Sequence, residues 1–162
     1  MKKLFVVLAL LFVANTAYAQ DQYVELLKSD LKTQKVAVIT AAMGLEESQS
    51  EPFWQIYRDY DYELSSIVDQ RISLIKDYAA SYSSMTDEKA AELAKTSFKV
   101  EMDRSKLREK YYKKFAKEIS PLVGARWLMI ERTINNLMDL QIASEMPLIE
   151  QGWEAPPPPP GN

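Results

Sequence analysis

Apolar residues recur three and four positions apart over long stretches of the chain, and no stretch shows the period of two that a half-buried strand requires. Four helices are expected. The first fits Tyr23 to about Met43, with Val24, Leu27, Leu31, Val38 and Ala42 on one stripe and Gly44 as its stop. The second fits about Ser50 to Tyr82, with Ser50 as N-cap and Pro52 in the first turn. Its stripe runs Phe53, Tyr57, Tyr60, Leu64, Ile67, Leu74 and Tyr78, interrupted by Arg71, while Trp54, Val68, Ile75 and Tyr82 widen that face beyond a coiled-coil seam. Thr86 caps a third helix ending near Ile119, with Asp87, Glu88 and Glu92 at its start and Lys113, Lys114 and Lys117 at its end, so the macrodipole is matched at both ends. Ser120 and Pro121 read as cap and first residue of a fourth, whose stripe is Val123, Trp127, Ile130, Ile134, Leu137 and Gln141 and which ends before Pro147.

The fold class is therefore all-α: a hairpin of two long helices with two shorter flanking helices. Helices of about 33 residues are roughly 50 Å long. The expected molecule is elongated, with part of its wide apolar face left open or covered by a second copy in a homodimer.

The first 19 residues follow a different grammar. Lys2 and Lys3 precede an apolar run from Leu4 to Val13 and a small-residue ending at Ala17-Tyr18-Ala19, which is the pattern of a signal peptide cleaved between Ala19 and Gln20. The run is well short of the roughly 20 residues a membrane-spanning helix needs. Residues 1–19 are thus expected to be a leader, 20–150 a single all-helical domain and 151–162 a disordered proline-rich tail, stiffened by Pro156 to Pro160. Export changes how the charges are read. The chain carries 20 basic and 23 acidic residues, and nucleic acid is not an expected partner of an acidic exported protein.

Cysteine and histidine are both absent. Stability must then come from packing rather than disulfides, and the commonest general base and transition-metal ligand is missing. Ser73-Leu74-Ile75-Lys76 matches an S-x-x-K nucleophile motif but has no companion segments. Asp59-Tyr60-Asp61-Tyr62-Glu63 resembles the opening of a calcium loop, yet no glycine follows, and alternate residues of a helix diverge. No catalytic residue, metal site or cofactor is expected, and the chain is not read as an enzyme.

Binding is the better-supported class. Between Arg104 and Lys117 stand seven basic residues, Arg104, Lys106, Arg108, Lys110, Lys113, Lys114 and Lys117, against one acid, Glu109. Lys106, Lys110, Lys113 and Lys117 share a helical face away from Phe98, Tyr112, Phe115 and Ile119. Two readings stand: a solvated face paired with the acidic second helix (Asp59, Asp61, Glu63, Asp69), or a contact surface for acidic or unfolded partners or for a membrane surface. Trp54 and Tyr62 are candidates for a partner-facing edge beside a core of Phe53, Tyr57 and Tyr60.

Leu45-Glu46-Glu47-Ser48-Gln49, opening the second helical region, resembles the L-T-x-x-Q motif of the Spy/CpxP family of periplasmic stress proteins. Leu45 and Gln49 match, and Glu46 stands in place of the threonine, which passes the capping role to Ser48 or Ser50. The segment from Ser120 to Ile149, with Arg126-Trp127-Leu128 and Gln141 through Leu148, is similar to periplasmic helical proteins related to that family. The resemblance implies a periplasmic, cradle-shaped helical dimer without catalysis, whose concave side binds unfolded proteins or a sensor domain. Metal-resistance members use histidine-rich stretches, which this chain lacks. The expected function is an ATP-independent chaperone-like or stress-adaptor protein binding unfolded or acidic envelope proteins; the alternative is a regulator of the extracytoplasmic domain of a membrane sensor.

Overall fold

A computed structural model describes residues 33–146, and its contacts divide the chain into two units, Met1–Gly44 and Leu45–Asn162. The expectations for the leader, for Val24, Leu27 and Leu31, and for the proline-rich tail lie outside the described residues. Among the described residues every regular element is helical.

In the first unit, α1 (33–43) ends where Gly44 takes a positive φ of 54°, a conformation that glycine adopts without a Cβ penalty. Its buried positions are Ile39 and Met43, whereas Val38 and Ala42 are exposed, so the stripe is rotated by one residue from the expected one. Alanine and valine tolerate either environment; the larger Ile and Met, which gain more by leaving water, set the rotation.

The second unit is a helical hairpin, α2 (Glu47–Ser81) and α3 (Asp87–Glu118), with α4 (Pro121–Glu145) laid along it. A short 3-10 turn, Tyr82–Ser84, and the buried Met85 close the hairpin. The antiparallel register of α2 and α3 can be read from side-chain pairs whose numbers run in opposite directions: Asp59 with Lys114, Glu63 with Lys110, Gln70 with Lys99 and Asp77 with Lys89. Tyr60 meets Trp127 and Arg71 meets Asp139, so α4 runs parallel to α2 and antiparallel to α3.

Two caps are as the sequence predicts. Thr86 Oγ1 accepts from Lys89 N at 3.2 Å, and Ser120 Oγ accepts from Val123 N at 3.2 Å with Pro121 following. The start of α2 differs. Glu46, not Ser50, is the N-cap: the Gln49 side chain accepts from the Glu46 backbone N–H at 3.2 Å while Gln49 N donates to Glu46 O at 3.0 Å. A reach-back from the third helical residue satisfies an orphan donor as well as a serine would. This places Pro52 in the second turn, where it cannot donate to the Ser48 carbonyl.

The core fills the end of the hairpin near the α3–α4 turn. Phe53 and Phe115 lie 5.0 Å apart between ring centroids, Tyr60 and Tyr111 5.3 Å, and Trp127 meets Phe115 at 4.7 Å and Tyr60 at 4.9 Å. Such ring pairs add about 0.5–1.5 kcal/mol each to what burial of their surface contributes. On α3 the buried line is Leu93, Val100, Leu107, Tyr111 and Phe115; Phe98, expected on the apolar face, is exposed.

Gly124 lets α4 approach α3 closely. A Cβ there would lie 3.2 Å from Tyr112 O and 3.3 Å from both Ala116 N and the Tyr112 ring, and two of these atoms are backbone that cannot swing aside. Gly124→Val is expected to destabilise by about 1–3 kcal/mol through overpacking. Urea unfolding followed by circular dichroism checks this, and an unchanged midpoint would mean that the helices separate without cost.

Candidate functional site

The inward face of α4 is unusual in what it hides. Val123 and Trp127 are buried as their stripe predicts, but the next two turns bury Glu131, at 0% exposure, and Asn135. Tyr60 donates its hydroxyl to Glu131 Oε1 at 2.6 Å, and Asn135 Nδ2 donates to the same oxygen at 3.0 Å and to the Glu131 backbone carbonyl at 2.7 Å. Arg108, half-buried on α3, faces this group; burial and Arg104 pull its guanidinium down, Tyr60 and Glu131 push it back up. Both side-chain hydrogen bonds to this buried carboxyl fall on the one oxygen, Oε1.

Burial, and then the field of Glu131, raise the phenols of Tyr57 and Tyr60 well above their ordinary value of 10.0; burial, and then the hydrogen bond to Glu63, raise Tyr111. The folded state therefore holds these protons where the unfolded chain releases them. Their contribution to stability is complete below pH about 10 and is lost as pH rises above it, by about 1.4 kcal/mol per pH unit for each phenol that stays protonated. Thermal unfolding between pH 9 and 11 should show a falling Tm, with a shallower fall in Tyr60→Phe; a flat profile would contradict the burial of these hydroxyls.

With polar groups turned in, large apolar groups of α4 are turned out. Leu122, Met129, Leu137 and Leu140 are each between 63% and 71% exposed, and they fall along one side of the helix over 18 residues. By the rise of an α-helix that is a row of roughly 27 Å. Leu137 was expected on the core stripe and is on this outer row instead, while Ile130 and Ile134 are half-buried at its edge. The reason lies in rotation: seating Gly124 against α3 and Trp127 between Tyr60 and Phe115 turns Leu137 away. On α3, Phe98 and Met102 are exposed as well, one turn apart.

The basic run is largely engaged within the unit. Arg104 is clamped on Asp139, with Nη1 to Oδ1 at 3.3 Å and Nη2 to Oδ2 at 3.0 Å. Lys110 donates to Glu63, Lys114 to Asp59 and Lys113 to Glu109. The Lys114 hydrogen bond holds the Asp59 carboxyl below its ordinary value, and the Lys110 hydrogen bond does the same for Glu63. Exposed pairs of this kind contribute about 0–1 kcal/mol. Lys106 and Lys117 project from the run into solvent.

Trp54 is half-buried, edge-on to Phe53 at 5.2 Å and to Tyr57 at 5.5 Å, while Tyr62 is 80% exposed. Leu45 and Gln49 sit together at the start of α2, where Gln49 caps. Among the described residues no group of three or more acidic side chains is placed to hold a metal ion, and no helix is long and apolar enough to cross a membrane. No protein-family model, curated protein or solved structure matches the chain.

Proposed function

We propose that this chain is an exported, ATP-independent binding protein of the chaperone-like or stress-adaptor kind, which holds partly unfolded envelope proteins on the outer row of α4. The observation that carries this reading is the exposed line of Leu122, Met129, Leu137 and Leu140 on a helix that buries Glu131 and Asn135. Burying those leucines instead would be worth roughly 1.5–3 kcal/mol each. A helix that leaves them in water offers a client apolar contact without refolding.

Unfolded segments present apolar side chains in no fixed order, and a row of flexible leucine and methionine side chains accommodates many such sequences. Arg126 and Arg132, exposed on α4, add a long-range pull on acidic clients that salt would weaken. The reading needs no nucleotide, metal or other cofactor and no catalytic group. The homodimer belongs to the same proposal, as does location in the periplasm.

The test is light scattering from a reduced, aggregating client such as insulin B chain. Equimolar protein should suppress the signal, and Leu137→Glu with Leu140→Glu should lose most of that effect while keeping its helical circular dichroism. Absence of suppression by the parent protein, or equal suppression by the variant, would overturn the reading. Crosslinking in the envelope that recovered one membrane protein and no varied clients would favour the sensor-regulator alternative.

A further inference from the structure

The far half of the α2–α3 hairpin is built unlike the near half. Beyond Leu64 no residue of α2 is fully buried, and the apolar positions Leu74, Ile75 and Tyr78 stand half-open opposite Leu93 and Val100 of α3 and Ile142 of α4. Between them lies a groove of about 420 Å3, within the ~300–1,000 Å3 range of small-molecule sites.

One end of the groove is charged. Arg71 and Arg104, from two different helices, converge on the single carboxylate of Asp139 from a third, with Arg71 Nη1 at 2.5 Å from Oδ1 and Arg104 bidentate. Burial alone would raise the Asp139 carboxyl; the Arg104 hydrogen bond and the charge of Arg71 outweigh it and hold it below its ordinary value. Two guanidiniums carry five N–H donors each, more than one carboxylate can accept. The Arg104 Nε–H is buried and makes no hydrogen bond among the described residues. The cluster is thus positive by one charge and rich in donors in the fork geometry that fits a second carboxylate. Glu101, the other charged residue of the lining, is exposed, where water screens it.

Polarity decides what kind of chain could lie in the rest. An extended peptide would carry backbone N–H and C=O groups along walls of Leu, Ile, Val and Tyr that leave them unpaired. A hydrocarbon chain has no such groups. Along α3 the lining runs from Arg104 to Ala90, a rise of roughly 20 Å.

We infer that this groove binds a single-chain amphipath, an acyl chain ending in a carboxylate, with the head on Arg71 and Arg104 and the tail along Leu74, Tyr78 and Leu93. The site is separate from the outer row of α4 and does not depend on it. The carboxylate adds a second anion to a pair that now shares one, and the tail covers apolar surface that the three helices leave open.

Calorimetric titration of the purified protein with decanoate, decanol and decyltrimethylammonium tests this, the two ions below their micelle concentrations and the alcohol below its solubility limit. The expected result is one decanoate per chain, bound at least about tenfold more tightly than either the alcohol or the cation, a margin that shrinks with added salt. Arg71→Gln, at a partly exposed position, should remove most of that margin. Ser97→Trp, which fills the groove without touching the charged cluster, should abolish binding while thermal unfolding stays cooperative. Equal binding of decanoate and decanol, undiminished binding by Ser97→Trp, or no decanoate binding would overturn the inference. Leu137→Glu with Leu140→Glu should leave decanoate binding intact, so the groove and the client surface stand or fall separately.

Discussion

Trp127→Ala is expected to cost about 3–5 kcal/mol, the range for deleting a fully buried large aromatic side chain. Trp127 is at 0% exposure and is the one residue of α4 whose ring contacts rings from both other helices, Tyr60 of α2 and Phe115 of α3. Its loss removes both ring pairs and opens a cavity where three helices meet. Domains of this kind are stable by about 5–15 kcal/mol, so the variant should have a urea midpoint lower by about 1–3 M, and α4 should detach first. The informative control is Phe98→Ala. Phe98 is 72% exposed, so its removal should change stability by less than about 0.5 kcal/mol. Comparable losses in the two variants would mean that Phe98 is covered and that α3 is rotated from the position described.

Those two aromatics also show where the sequence was legible and where it was not. Helix existence, order and most ends were readable because they are set locally: Thr86 and Ser120 cap by side-chain chemistry, Pro121 presets φ at a first helical residue, and Gly44 supplies a positive φ. The start of α2 is less legible because Ser50 is the stronger cap by type, and the Gln49 side chain reaching back leaves less trace than a serine in place. Rotation about the helix axis was harder. On α4 two apolar rows compete, Val123–Trp127–Ile130–Ile134–Leu137 and Leu122–Met129–Leu140, and hydrophobicity alone does not choose between them. The deciding signal was Gly124: a glycine inside a strong helix marks the place where a neighbouring backbone comes close, and it points that face, with Trp127 and Glu131, inward. The pairing of Asp59 and Glu63 with α3 lysines was open from charge pattern, whereas Arg104 with Asp139, 35 residues apart, follows only from the packing of α4.

Glu131→Met should destabilise by about 2–4 kcal/mol even though methionine has similar volume and prefers the interior, because it withdraws the carboxylate acceptor of Tyr60 Oη and one of the two acceptors of Asn135 Nδ2, which keeps the backbone carbonyl of residue 131. Tyr60→Phe alone should cost about 1–2 kcal/mol, since the carboxyl keeps its bond from Asn135. Combined, the two changes should cost less than their sum by about 0.5–3 kcal/mol, the coupling typical of residues in one hydrogen-bonded network. Chemical denaturation of the four proteins closes the cycle, and strict additivity would mean that the 2.6 Å bond contributes nothing. The same cycle separates stability from the facing of α4. A buried polar group specifies one rotation of a helix, because any other leaves it unpaired. Once Glu131 is apolar, the seating of Gly124 and Trp127 alone opposes a roll of α4 that covers Leu137 and Leu140, so binding of an apolar dye should fall in Glu131→Met and remain low in the double variant. If dye binding tracks stability instead, the outer row is held by the aromatic core alone and the buried carboxyl is only a packing element.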